Sequence, residues 1–224
     1  MKRVSKPLEI LLWVYGVGLA GMLIPFTRNI FIAIIPLNLV FAAVFLFFGI
    51  KPAARTIYTG LFIFVASFFV EAAGVNTGMI FGSYSYGKAL GPGLWNTPLI
   101  IGLNWFILIY CTNAIARQLW APAGIKAAVK NKVAELLFTV IVGSLLMVGY
   151  DLLLEPAAIR LDMWLWEGGV IPFRNYSAWF LLSVIFHLIM RIAGEDRLNT
   201  RALPLFTVQL VFFTVTDLYF AFFV

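Results

Sequence analysis

Cysteine and histidine each occur once in the 224 residues, as Cys111 and His187. A lone thiol inside an apolar stretch cannot close an intramolecular disulfide. One Cys and one His give no metal-ligand spacing, so neither a metal nor any other cofactor is expected. The sequence also lacks a Gly-rich phosphate loop, an HExxH pattern and a serine nucleophile elbow. Its last apolar segment contains no lysine, which argues against a retinal protein with a Schiff base there. Charge is scarce as well: Asp, Glu, Lys and Arg make up 12% of the chain, where a soluble domain has about a quarter.

Apolar residues are what the chain has in quantity. They make up 62% of it, and the mean hydropathy is +0.98. This composition indicates an integral membrane protein. Its length allows about seven spans of about 20 residues with short connections, an all-α polytopic bundle in one domain over 1–224. Continuous apolarity and the positions of Pro25, Pro52, Pro98, Pro156, Pro172 and Pro204 predict helices at 8–24, 29–49, 55–74, 97–118, 132–155, 174–193 and 202–223. The basic stretch Met1–Pro7 lacks a convincing small-residue cleavage site after it, so the first segment reads as a retained span.

Lys and Arg sort by connection. Lys2, Arg3, Lys6, Lys51, Arg55, Arg117, Lys126, Lys130, Lys132, Arg191, Arg197 and Arg201 fall on one side, and Arg28, Lys88, Arg160 and Arg174 on the other. The bias puts the N-terminus in the cytoplasm and the C-terminus outside, with the plasma (cell inner) membrane as the expected location. Membrane orientation accounts for the net charge of +6 without nucleic acid as a partner.

The same topology sorts the acids. Glu71 ends the third segment, Asp151 and Glu155 end the fifth, and Asp217 lies about two turns from the end of the last. All four reach the outer layer, with the long loops 75–96 and 156–173. Acids at membrane helix ends cost free energy unless they face protein or water, so they point to function. Glu9, Glu135 and the Glu195–Asp196 pair belong to the inner side, among basic neighbours, and read as solvated interfacial charge. An internal echo links the two loops. Glu71 leads to Pro98 with Trp105 seven residues later, and Asp151 leads to Pro172 with Trp179 seven residues later. Membrane proteins often build sites between such repeats.

Asp151 and Glu155, four apart, share a helix face. Two carboxyls that close cannot both ionise cheaply, so a protonated acid beside a carboxylate is expected, suited to general acid–base chemistry. Structural pairing with Arg160 or Arg174 is the alternative. Around Glu71 stand Gly74, Gly78, Phe81, Gly82, Tyr84 and Tyr86. An interfacial aromatic belt accounts for some of Trp95, Trp164 and Trp166, but not for the glycine spacing. Asn104 is placed to hold a water or a carboxyl. Asn38, His187 and Gln209 are further buried polar groups, and His187 reads as a helix-packing hydrogen bond.

Glu71, Gly74, Gly78, Phe81, Gly82, Tyr84 and Tyr86, then Pro98 and Trp105, then Asp151, Glu155, Pro156, Trp164, Trp166, Pro172, Asn175 and Trp179 form a combination over roughly 71–179, about half of the chain. It resembles the membrane carotenoid biosynthesis family that includes carotenoid 1′,2′-hydratases and bisanhydrobacterioruberin hydratases. The family usually has Asp where this chain has Glu155, and often Gly where it has Val170 and Ala178. The resemblance implies water addition across the terminal double bond of a linear ψ end group, giving a tertiary alcohol. Glu71, Asp151 and Glu155 are the expected catalytic residues. Tyr84, Tyr86, Trp95, Asn104, Trp105, Trp164, Trp166, Asn175, Trp179 and Asp217 are the expected substrate-binding ones. A lipid-soluble carotenoid, water and membrane lipid are the implied partners. Two other readings stay open: a carotenoid end-group cyclase or isomerase using the same acid, and a small proton-coupled transporter.

Overall fold

The apolar segments fold as helices, and two of their connections fold as short strands. The computed structural model describes residues 5–120, 132–194 and 198–223. Lys2, Arg3, Lys126, Lys130, Arg197 and the Glu195–Asp196 pair lie outside the described residues. Helix α1 is Lys6–Leu23, α2 Pro25–Ala33, α3 Ile35–Phe47, α4 Ala54–Thr77, α5 Ile101–Trp120, α6 Lys132–Arg160, α7 Phe173–Ile192 and α8 Ala202–Phe223. Strands β1 (Tyr84–Tyr86), β2 (Gly93–Leu94) and β3 (Thr97–Pro98) lie between α4 and α5, and β4 (Trp164–Trp166) lies between α6 and α7. The chain is an all-α membrane bundle.

Helices α1, α4, α6, α7 and α8 are each long and apolar enough to cross a membrane. The segment expected as one helix over 29–49 is instead the pair α2 and α3, bent by 60° at Ile34. Pro36 lies in the first turn of α3, where its missing N–H leaves no helical bond unmade. Helix α5 has the length of a span but is less apolar, with Asn104, Thr112, Asn113 and Arg117 along it. It packs against α3, α4, α6, α7 and α8, and most of its residues from Ile101 to Ala116 are buried. A helix walled by protein on nearly every side has no need of a lipid-compatible surface. The core follows from this, with Trp105, Ile107, Leu108 and Ile109 fully buried at the centre.

His187 on α7 joins this core. Its Nε2 lies 2.9 Å from Thr112 Oγ1 of α5, and its Nδ1 2.7 Å from the Ser183 carbonyl. It is a helix-packing group, as expected. On the opposite end from the loops, Arg191 pairs with Glu135 at 3.3 Å.

Two helix ends differ from expectation. Helix α6 runs through Pro156 to Arg160 and does not stop at Glu155. Pro156 has no N–H for the Leu152 carbonyl, and the helix continues without that bond. Helix α5 starts at Ile101 because Thr97 and Pro98 pair with Gly93 and Leu94 in a hairpin. Its two turn residues, Trp95 and Asn96, have φ of 51° and 57°, as a type I′ turn requires. Strands β1 and β4 pair antiparallel, Tyr84 opposite Trp166 and Tyr86 opposite Trp164, so the two long loops meet as one ribbon.

Candidate functional site

Alternation along a strand sends residues two apart to the same face. Tyr84 and Tyr86 on β1, with Trp164 and Trp166 on β4, therefore form one aromatic face of the ribbon. Tyr84 and Trp166 have ring centroids 5.0 Å apart. Below this face lie the three acids expected to be catalytic.

Glu71, near the end of α4, is buried and receives three hydrogen bonds. Tyr84 and Tyr86 each donate a phenol O–H to Oε2 at 2.7 Å, and Trp105 of α5 donates Nε1–H to Oε1 at 2.7 Å. Burial, followed by the negative charge of Glu71, pushes both phenols well above the usual tyrosine range, so they remain protonated donors.

Glu155, on α6, has an analogous set. Trp164 and Trp166 donate their indole N–H groups to Oε2 at 2.9 and 2.8 Å. Asn175 of α7 reaches Oε1 at 3.3 Å. Asn175 also donates to Asp151 Oδ2 at 2.7 Å, so one amide bridges the two α6 acids. Asp151 is fully buried, and its Oδ1 has no hydrogen-bond partner among the described residues. Arg160 and Arg174 do not pair with these acids: Arg160 lies over the Phe220 ring, and Arg174 points to the Met79 carbonyl.

The sequence echo has a spatial counterpart. Trp105 and Trp179, the two tryptophans that follow the prolines, stack with centroids 4.4 Å apart and planes 27° apart. The acids correspond differently from the spacing, however. Each strand's aromatic pair donates to the acid at the end of the helix before it, and this makes Glu155 the counterpart of Glu71.

Glu71, Asp151 and Glu155 line a chamber of about 20 Å³ with Phe81, Tyr84, Tyr86, Ile101, Asn104, Trp164, Trp166, Asn175 and Trp179. Phe81 was not among the expected site residues, although its place in the glycine–aromatic run pointed to it. Beside the chamber is an apolar cavity of about 510 Å³, bounded by α1, α2, α3, α5, α6 and α8. Ile101, Asn104 and Trp164 line both spaces. Trp13, Val17 and Leu37, also on the cavity wall, are largely exposed on the bundle's flank.

Two expected binding residues lie elsewhere. Trp95 occupies the tip of the β2–β3 hairpin, 56% exposed, against Phe68 and Phe69. Positive φ in the turn, not chamber packing, sets its place. Asp217 on α8 does not line the chamber. It is half-buried near Arg160, which lies over Phe220 on the same helix. The expected fourth acid thus belongs to a neighbouring cluster, beside Arg160 at the end of α6 and away from the chamber wall.

Comparison with known proteins agrees with the resemblance read from 71–179. Over 156 residues the chain is 28% identical to bisanhydrobacterioruberin hydratase of Haloarcula japonica, a match covering 68% of this chain and 47% of that protein. The chain therefore spans about half the length of this curated relative. No solved structure matches the chain. A family model described as carotenoid biosynthesis protein matches residues 29–224, well over half of the sequence, and the chain belongs to that family.

Proposed function

We propose that the protein is a cofactor-independent carotenoid hydratase, adding water across the terminal double bond of a linear ψ end group. The observation that carries this reading is the junction of two spaces. A water-sized chamber walled by three carboxyls adjoins an apolar cavity that opens towards lipid. About 10–15 Å³ of such space holds one water, so the chamber takes one water or the tip of an alkene beside it.

Hydrogen-bond accounting divides the labour. Indole N–H groups can only donate, so the oxygens they serve must accept. Glu71, with three donors, suits a fixed carboxylate. Glu155 has both indoles on Oε2, leaving Oε1 with one long bond and room to accept from a water. Asp151 has the fewest partners and an unengaged Oδ1. It is the group that can carry the proton without losing a hydrogen bond.

The chemistry then balances. Asp151 gives its proton to the less substituted alkene carbon, leaving a tertiary cation on the other. Trp179 on the chamber wall, with Trp105 stacked against it, and the carboxylate layer lower the energy of that positive charge. Water attacks the cation while Glu155 Oε1 accepts its proton. Passing that proton back to Asp151, across the site bridged by Asn175, restores the acid. The net change is alkene plus water to tertiary alcohol. The name of the Haloarcula relative supports the same class of reaction.

Expression in a host that accumulates a linear carotene, followed by mass spectrometry of the pigments, tests the reading. A product heavier by one water per reacted end is expected. A product of unchanged mass but cyclic or shifted double bonds would assign the same acid to a cyclase or isomerase. Unaltered pigment, with the protein folded in the membrane, would reject the proposal.

A further inference from the structure

Three residues line both the chamber and the large cavity: Ile101, Asn104 and Trp164. Ile101 has no polar side-chain atom, and Trp164 spends its indole N–H on Glu155. Asn104 differs from both. It is buried, next in sequence to the Trp105 that donates to Glu71, and its side-chain amide hydrogen-bonds to no other described residue. The amide N–H groups of Asn175, by contrast, are spent on Asp151 and Glu155. The Trp179 indole also has no hydrogen-bond partner among the described residues, but it lines the chamber alone and can only donate. A buried amide without a partner is costly, and a hydrocarbon chain cannot supply one. A water in the chamber can.

We propose that Asn104 holds the attacking water at the junction, and that this positioning residue decides whether the cation ends as an alcohol or as an alkene. The inference rests on the hydration reading and deepens it. A nucleophilic water needs its hydrogens accepted and a lone pair left free. A carbonyl oxygen meets that need, whereas an N–H donor such as Trp179 would occupy the lone pair. Asn104 Oδ1 takes one O–H and Glu155 Oε1 the other, which leaves a lone pair for the cation made by Asp151. The C–O bond then forms and the proton passes to Glu155. Without the amide, water is no longer held there, and loss of a proton from a carbon next to the cationic one competes. That C–H bond breaks, its electron pair becomes a double bond, and a carboxylate of the site takes the proton. No water is consumed, and the product is the starting alkene or its positional isomer.

The test reads product partition in deuterium oxide. Membranes holding the parent protein, Asn104→Leu or Asn104→Met are supplied with a linear carotene, and the pigments are separated and weighed by mass spectrometry at early times. Asp151 then delivers deuterium, so deuterium left on carbon marks a cation that formed, whichever way it ended. The ratio of alcohol to deuterated but unhydrated pigment therefore counts water capture against proton loss. A merely structural lesion lowers both products together and leaves the ratio alone. The parent is expected to give mainly alcohol. In the variants the ratio should fall about tenfold, the worth of one hydrogen bond to the water, while the deuterated unhydrated pigment rises. A folded variant with the parent's ratio overturns the inference and leaves hydration standing. So does a variant in which both products fall together, since Asn104 would then act before the cation forms or through packing alone. Should Asn104→Leu fail to insert, the unbranched Asn104→Met is decided by the same ratio. A parent protein that forms no alcohol removes the hydration reading, and this inference with it.

Discussion

At the scale of single residues, the site separates acids that are fully engaged from one that is not. Glu71 accepts three bonds, and Asp151 leaves an oxygen unbonded. Removing the acidity of Asp151 without changing its shape should therefore remove the chemistry and little else. Asp151→Asn is expected to lower hydration at least ~100-fold, the usual contribution of a general acid. Its melting temperature in detergent should stay close to that of the parent or rise. Pigment chromatography beside a melting curve checks this, and an active, folded Asp151→Asn protein would move the proton to another group. Glu71→Gln should also abolish activity, but for a different reason. A neutral amide puts an N–H against at least one of three donors, so this variant should lose stability as well. Trp105→Phe keeps the ring stacked on Trp179 but leaves Glu71 Oε1 without its donor. A stability loss of about 1–3 kcal/mol is expected from an unpaired buried acceptor. A Trp105→Phe protein as stable as its parent would argue that Glu71 does not depend on that indole.

At the scale of elements, the ribbon of β1 and β4 is what turns two helix ends into one chamber. Gly82, just before β1, has a φ of +114°, and a Cβ there would lie 2.5 Å from Pro172 Cγ. Backbone strain and collision with a rigid ring act together, so Gly82→Ala should shift the ribbon off the acids. Activity is expected to fall by an order of magnitude or more, with a stability loss of about 1–3 kcal/mol. Gly149→Ala on α6, with open space around the added methyl, should be neutral or slightly stabilising. Matching effects from the two substitutions would show that the ribbon's fit is not what matters. The sequence revealed these elements unevenly. Seven apolar runs located the helices to within a few residues, because hydropathy reports lipid contact directly. It did not reveal the bend at Ile34 or the passage of α6 through Pro156, which depend on how individual carbonyls find partners. The strands were readable only as the alternations Tyr84–Ser85–Tyr86 and Trp164–Leu165–Trp166. Three residues are too few for a period-of-two signal to stand out, and the pairing partner is 78 or more residues away on the other loop. The acids were visible because carboxyls are rare in apolar helices. That Glu155, and not Asp151, matches Glu71 depended on side-chain donors that spacing alone does not assign.

At the scale of the whole molecule, the proposed hydration requires the chamber to sit near one membrane face, where water and protons would reach the end of a polyene otherwise lying in lipid. Helix α4 makes this testable. It runs for 24 residues from Ala54 to Thr77, about 36 Å at 1.5 Å per residue, against a hydrocarbon core of about 30 Å. Its two ends must then open on opposite sides. The charge bias predicts the Ala54 end in the cytoplasm and the Glu71 end, with the ribbon, at the exterior. The protein supplies a clean background for labelling, because its single thiol, Cys111, is fully buried on α5. With no exposed surface on that thiol, a membrane-impermeant maleimide should leave the parent protein unlabelled. Lys88→Cys, exposed in the loop that carries β1, should label from outside intact cells. Ala54→Cys, exposed at the start of α4, should label only after the membrane is opened. Labelling of both from one side would contradict the span itself. Labelling of Ala54→Cys from outside and Lys88→Cys from within would keep the fold but invert it, placing the acids at the cytoplasmic face. The positive charges counted along the chain, some of them outside the described residues, would then have to be overridden by the packing of α5 and the ribbon. The labelling pattern thus decides whether the water for the proposed hydration would come from the exterior or from the cytoplasm.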